Sequence, residues 1–239
     1  MPHKYFSIAE VAQYLHVSEE NVEKLIREES IPCEKKGDRY IFRRREIDAW
    51  ASQRILGLSE PRLEDYHKTS SAKYHDLSAT HAIIPELMKS AYIRADLASK
   101  TKSSVLRDMV GLADETGLLI HKDDLLESLE AREELCSTAL GGGLALLHPA
   151  HHDPYVFEDS FICLGRTVQD LPFASPDGRT TDLFFLACCQ DDSIHLHVLA
   201  RLCIMFYHTN ALLELREAQG SEELYEVLVR AEEEVIKNL

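Results

Sequence analysis

His148 stands directly behind an apolar tetrapeptide, Leu144-Ala145-Leu146-Leu147, that reads as a buried strand. On α/β sheets chemistry gathers where strands end, because loops there expose side chains on a rigid base. In front of the strand lies Ser137-Thr138-Ala139-Leu140-Gly141-Gly142-Gly143, a run of small residues that lets backbone amides approach an anion. Arg132 lies upstream of that run, and His195 opens a helical pattern behind a second buried strand. A helix start offers free N–H groups and the positive end of a dipole. The group reads as a site for a phosphate-bearing ligand. Its reactive members are His148, His195 and Arg132, with Ser137, Thr138 and Gly143 as loop support. A lone histidine at a strand end is ordinarily a plain surface or core residue, and the joint pattern sets His148 apart.

Other chemistry reads more weakly. His148, His151, His152, Asp153 and His195 are proper transition-metal ligands by type, but their spacing is irregular and matches no standard motif. No metal and no cofactor is expected. His197 sits two positions after His195, roughly 200° around a helix, so it is read as structural. Cys188 and Cys189 lie in an apolar strand and read as core. Cys136, beside the small-residue run, is a candidate exposed thiol, with a packing role the better reading.

The elements that must position these residues alternate in type. Helices are predicted over 103–116, with Val105, Leu106, Met109, Val110 and Ala113 inward, and over 122–134. Strands are predicted at 144–147, 161–164 and 183–188. A helix follows over about 194–207, and two more start near Asn210 and Ser221. Apolar strands of this kind need helices on both faces of a mixed sheet. Glu232-Glu233-Glu234 reads as a solvated helix face.

The first 55 residues form a different pattern. Ser7 and Glu10 stand in capping-box register ahead of a short helix, and Phe6 can staple onto Val11. Ser18 caps a second helix with Val22, Leu25 and Ile26 inward. A hairpin turning at Gly37-Asp38 follows, and then a helix over 44–51 with Ile47 and Trp50 on one side. Residues 57–82 lack a sustained period, which suggests three parts: 1–55, a connector over 56–82, and 83–239.

Charge and composition bound the function. Hydrophobic residues make up 45% of the 239, enough for a sizeable core, and no apolar run approaches the ~18 residues of a membrane helix. The start, Met1-Pro2-His3-Lys4, has no apolar stretch behind it, so no signal peptide is expected. Six cysteines form no C-x-x-C pair, which points to reduced thiols and a cytoplasmic location. The net charge is −15, yet residues 1–55 carry ten basic and ten acidic side chains, so the whole acidic excess lies beyond them. Nonspecific attraction to nucleic acid or anionic membrane is disfavoured overall. DNA contact falls to the N-terminal part, through Lys24 and Arg27 on the second helix and Lys35, Lys36, Arg39, Arg43, Arg44 and Arg45 around the hairpin. The same second helix carries Glu19, Glu20, Glu23, Glu28 and Glu29, which would repel phosphates.

Two family resemblances follow. Ser7-Ile8-Ala9-Glu10-Val11-Ala12, Leu15, Val17-Ser18, Val22, Leu25-Ile26, Ile31-Pro32, Gly37, Arg39-Tyr40, Phe42 and Trp50 resemble the MerR/excisionase type of winged helix-turn-helix. That resemblance implies double-stranded DNA as a partner, with the second helix in the major groove and the wing along the backbone. It leaves a homodimer open, though no long heptad repeat is present to build one.

Arg132-Glu133-Glu134-Leu135-x-Ser137-Thr138, then Gly143-x-Ala145-x-x-His148, then His195-Leu196-x-x-Leu199-Ala200 resemble the enzyme IIA domain of the fructose/mannitol class of the sugar phosphotransferase system. That class includes nitrogen-regulatory members with no transporter attached. The resemblance spans 83–239. It implies that His148 takes a phosphoryl group from a histidine-containing phosphocarrier protein, that His195 binds the phosphoryl oxygens or orients the acceptor, and that Arg132 balances charge. A neutral imidazole, with an ordinary pKa of ~6.5, is a competent nucleophile at cytoplasmic pH. Two departures stand out: Leu147 replaces the proline usual before the acceptor, and Pro149-Ala150-His151-His152-Asp153 replaces the glycine or arginine often found after it. The expectation is a phosphohistidine carrier coupled to DNA or partner binding, rather than a turnover enzyme. The alternatives are an interaction scaffold with a vestigial acceptor and a transport phosphocarrier serving a separate permease.

Overall fold

The computed structural model describes residues 5–58, 62–64, 66–67, 81–150, 155–190 and 192–238. The N-terminal part begins with β1 (Tyr5–Phe6) and α1 (Ile8–Tyr14). Ser7 caps α1: its hydroxyl accepts from the Glu10 amide, and the Glu10 carboxylate accepts from the Ser7 amide. Ser18 caps α2 (Glu19–Arg27) by accepting from the Asn21 amide. The hairpin β2 (Glu34–Lys36) and β3 (Arg39–Arg43) turns at Gly37-Asp38, and β1 adds to its other side in the order β1-β3-β2. Helix α3 (Arg44–Leu56) runs past the predicted end at Ala51, because Ala51, Ser52, Ile55 and Leu56 are buried and continue its inward stripe.

The C-terminal part opens with a single helical turn, α4 (Ile84–Leu87), and a strand the sequence did not predict, β4 (Ile93–Leu97). Two fourteen-residue helices follow, α5 (Lys102–Glu115) and α6 (Lys122–Leu135). The strands β5 (Leu144–Leu147), β6 (Phe161–Leu171) and β7 (Thr181–Cys188) precede α7 (Asp192–His208), α8 (Ala211–Glu217) and α9 (Gly220–Asn238). The sheet order is β4-β6-β7-β5, with β4 parallel to β6, β6 antiparallel to β7, and β7 parallel to β5. This is the mixed sheet expected.

Strand alternation divides the core. Ala145, Leu147, Cys163, Phe184, Leu186 and Cys188 face α5 and α6 with Val105, Met109 and Leu129. Leu144, Leu146, Leu164, Leu183, Phe185 and Ala187 lie in the other cluster, with Leu196, Leu199 and Leu202 of α7 and Leu224 and Leu228 of α9. That second cluster continues without a break into Val11, Val22, Phe42, Ile47, Ala51 and Ile55 of the N-terminal part.

One sequence expectation is corrected here. Glu232 is not on a solvated face; it is 1% exposed and pairs with the fully buried Arg201 at 2.8 Å. Its carboxylate also accepts from the Ile83 and Ile84 amides, both at 2.8 Å. An isolated carboxylate would not tolerate such burial, and a guanidinium with two backbone donors makes it tolerable.

Candidate functional site

His148 follows β5 and shares strand parity with Leu144 and Leu146, so it points to the α7 side of the sheet. Its Nδ1 lies 2.8 Å from the Leu146 carbonyl oxygen. A carbonyl only accepts, so Nδ1 carries the proton. Arg132 Nε, which only donates, lies 3.0 Å from His148 Nε2. The ring is therefore a neutral imidazole whose Nε2 lone pair faces a cation, the form in which a histidine can attack phosphorus.

Arg132 projects from the last turn of α6 and is 1% exposed. Its Nη1 donates to the Cys136 carbonyl oxygen at 2.9 Å and reaches the Cys136 sulfur at 3.1 Å. Cys136 thereby serves to anchor the arginine. Arg132 Nη2 is buried with no hydrogen-bond partner among the described residues, a donor beside the nucleophile suited to an anionic oxygen. His195, on the first turn of α7, brings its ring centroid to 4.8 Å from that of His148. The three residues singled out as reactive are thus brought together.

The loop residues do something else. Thr138 gives its amide to Glu133 Oε1 at 2.9 Å and its hydroxyl to the same carboxylate, while Lys102 pairs with Glu133 at 2.6 Å. Ser137 donates to the Phe173 carbonyl oxygen. The Gly142 amide binds Asp177 at 2.9 Å, and Gly143 is packed against Arg216 and Asp182. Hydrogen bonds from Ser175, then from the Gly142 and Arg179 amides, lower the Asp177 carboxyl to about 2. Two amides of the expected cradle, those of Thr138 and Gly142, are therefore taken by the protein's own carboxylates, and the Ser137 and Thr138 side chains are spent on bracing the loop. Sequence could not show this, because Asp177 and Asp182 are far along the chain.

His197 points away from the site as predicted, stacking on His67 with centroids 4.6 Å apart. His151, His152 and Asp153, which belong to the metal alternative, lie outside the described residues.

In the N-terminal part, the basic residues are largely engaged at the surface. Lys24 pairs with Glu28 and Arg27 with Glu23 along α2, and Arg43 bridges Glu34 and Glu46. Lys35, Lys36 and Arg44 lie over the rings of Tyr40, Tyr5 and Phe6. Arg39 is exposed. Arg45 turns to a cleft against Asp124 and Glu127 of α6 and Pro149 behind the acceptor.

Sequence reasoning missed Ser52. This α3 residue is 2% exposed, its oxygen lies 3.2 Å from His195 Nε2, and its hydroxyl reaches the Asp48 carbonyl at 2.9 Å. Nothing in the local sequence marks it beyond the apolar stripe that carries α3 past Ala51.

A mixed sheet flanked by helices, with an arginine-backed histidine pair at the end of one strand, defines a phosphotransferase IIA-type domain behind a helix-turn-helix. Residues 86–231 match the family model "Phosphoenolpyruvate-dependent sugar phosphotransferase system, EIIA 2", and residues 5–55 match a helix-turn-helix domain model. The chain belongs to that EIIA family. It is 26% identical over 147 residues to the fructose-specific EIIABC component of Bacillus subtilis, covering 61% of this chain and 23% of that one. It is 30% identical over 112 residues to the nitrogen regulatory protein of Klebsiella oxytoca, covering 45% of this chain and 66% of that one. A nitrogen regulatory protein of Bradyrhizobium diazoefficiens is 29% identical over 156 residues, 64% of this chain and 92% of that one. The crystal structure of nitrogen regulatory protein IIA-Ntr from Neisseria meningitidis superposes with a TM-score of 0.56 at 28% identity, over 62% of this chain and 99% of that one. Among the described residues no single helix is long and apolar enough to cross a membrane.

Proposed function

We propose that this protein is a phosphohistidine carrier in which His148 Nε2 receives a phosphoryl group from a histidine-containing phosphocarrier protein, and that the winged helix-turn-helix couples this event to DNA or partner binding. The observation that carries the reading is the polarity of the His148 ring: Nδ1–H is held by the Leu146 carbonyl, and the Nε2 lone pair meets Arg132. In the transfer, Nε2 forms the new N–P bond as the donor's N–P bond breaks. The bonding pair stays on the donor ring nitrogen, and no net proton moves. Phosphoryl transfer asks the protein mainly for positioning and for donors to the equatorial oxygens. Arg132 supplies the cation, and His195 stands close enough to donate a second hydrogen bond.

The test is a relay from phosphoenolpyruvate through the general phosphotransferase enzyme and the phosphocarrier. Acid-labile label is expected on the native chain and absent from His148→Ala. A native chain left unlabelled by a competent donor would refute the acceptor role and favour a scaffold that retains only the fold.

The acidic outer face of α2 supports a second reading for the N-terminal domain, in which it docks a protein. Glu19, Glu20, Glu23 and Glu28 are exposed there, and both basic residues are paired with carboxylates. Duplex binding must weaken linearly in log affinity with log salt if Lys35, Lys36, Arg39 and Arg43 to Arg45 neutralise phosphates. Absence of binding at low salt would favour the protein-docking role.

A further inference from the structure

The acceptor is closed in this structure: His148, His195 and Arg132 are each 1% exposed. Helix α3 of the winged helix lies against α7, the helix that carries His195, and Ile47, Ala51, Ile55 and Leu56 of α3 share one apolar cluster with Leu196, Leu199 and Leu202 of α7. At the polar end of this contact stands Ser52. A serine hydroxyl has one proton, and here it goes to the Asp48 carbonyl at 2.9 Å. Its oxygen, 3.2 Å from His195 Nε2, is therefore the acceptor, and His195 Nε2–H is the donor. The ring that carries this donor stands 4.8 Å, centroid to centroid, from that of His148. Asp48, a buried acidic residue one helical turn before Ser52 on α3, adds a carboxylate to the same helix face.

We propose that the winged helix is a built-in cap on the phosphoacceptor: with α3 seated on α7, Ser52 takes the His195 proton that a phosphoryl group on His148 would take, so seating and phosphorylation exclude each other. The idea rests on the acceptor role of His148 proposed above. A phosphocarrier must reach Nε2, so the cap has to lift before transfer. Once transferred, the dianionic group competes for His195 and repels Asp48, so the winged helix stays released. Phosphorylation then acts on the N-terminal domain by unseating α3, leaving the exposed α2 and the wing to act free of the C-terminal domain.

The test compares the full native chain with Ser52→Ala and His148→Ala, using the phosphocarrier relay and, in parallel, phosphoramidate, a small donor that needs no docking surface. Losing one neutral hydrogen bond loosens an equilibrium by about fivefold, which for a cap closed about nine-tenths of the time raises the open fraction, and with it the relay labelling rate of Ser52→Ala, about fourfold over the native chain. Equal relay rates would overturn the cap and leave the acceptor role standing. No label on His148 from either donor in either protein would refute the acceptor role, and the cap with it. A second measurement needs no variant: amide hydrogen exchange across residues 44–56 should rise when the native chain is phosphorylated, and unchanged protection there would also overturn the cap.

Discussion

Replacing Glu232 by alanine strikes the chain where the connector enters the EIIA domain. The carboxylate is 1% exposed and holds three partners: Arg201 Nη1, the Ile83 amide and the Ile84 amide, all at 2.8 Å. Arg201 in turn donates to His67 at 3.1 Å and to the His81 carbonyl at 3.0 Å, so the same pair ties both ends of residues 67–84 to α7. Burial raises the Glu232 carboxyl, while the Ile84 and Ile83 amides and Arg201 pull it down. Removing one member of a buried ion pair costs about 3–5 kcal/mol. Each amide left without an acceptor adds about 1 kcal/mol, less than additively because the three bonds share one carboxylate. The expected loss for Glu232→Ala is about 5 kcal/mol, which in a chain of this size lowers Tm by roughly 10–20 °C. Urea unfolding followed by circular dichroism, with calorimetry for Tm, measures it. The double variant Arg201→Met/Glu232→Met removes both charges and should recover part of the loss, the remainder reflecting the two amides, His67 Nε2 and the His81 carbonyl, each of which loses a hydrogen bond. A Glu232→Ala loss below about 1 kcal/mol, or a double variant no better than the single, would refute the reasoning.

Two further outcomes follow from buried groups and a strained turn. Burial first, then the charges of Arg201, His16 and His81, lowers His197 to about 3; the folded chain excludes a proton that the unfolded chain takes up near pH 6.5. Stability is thus full above that pH and falls as pH drops, by about 1 kcal/mol between pH 6 and pH 5 from this group, and His197→Leu should flatten that part of the profile. Gly143 has φ +81°, and a Cβ there would lie 2.6 Å from Arg216 Nη2 and 2.8 Å from Asp182 Oδ1, whereas Gly178, at φ +72°, has nothing within 4 Å. Gly178→Ala should cost about 1 kcal/mol of backbone strain, and Gly143→Ala clearly more as the Arg216–Asp182 pair is displaced, both read by urea unfolding.

Much of the architecture was legible because period and caps agreed. Ser7 with Glu10 and Ser18 marked two helix starts, and the all-apolar run at Leu144–Leu147 marked a fully buried strand. The edge strand Ile93–Leu97 was not legible: its interior is Arg94-Ala95-Asp96, polar enough to hide a strand that pairs on one side only. The sequence placed His148, His195 and Arg132 in one neighbourhood through the resemblance, but could not place Ser52, which meets His195 across 143 residues. The glycine run misled for a related reason. Small residues permit close approach of an anion, and the anions that approach are Asp177 from the β6–β7 connection and Asp182 from the start of β7. Glu232 looked solvated because its neighbours in the run are charged, and only the fold reveals a guanidinium behind it.

The contact between α3 and α7 joins two parts of one polypeptide, and this sets how strong it has to be. Tethered surfaces meet at an effective concentration of about 1 mM. An interface that would dissociate at ~0.1 mM between separate molecules is then closed about nine-tenths of the time, and weakening it a hundredfold leaves it about nine-tenths open. One hydroxyl and a modest apolar stripe suffice for the first state, and a single dianion placed against them is the right size of perturbation for the second. Tethering makes the sensitivity possible: a contact strong enough to hold free partners together would be too strong for one phosphoryl group to break.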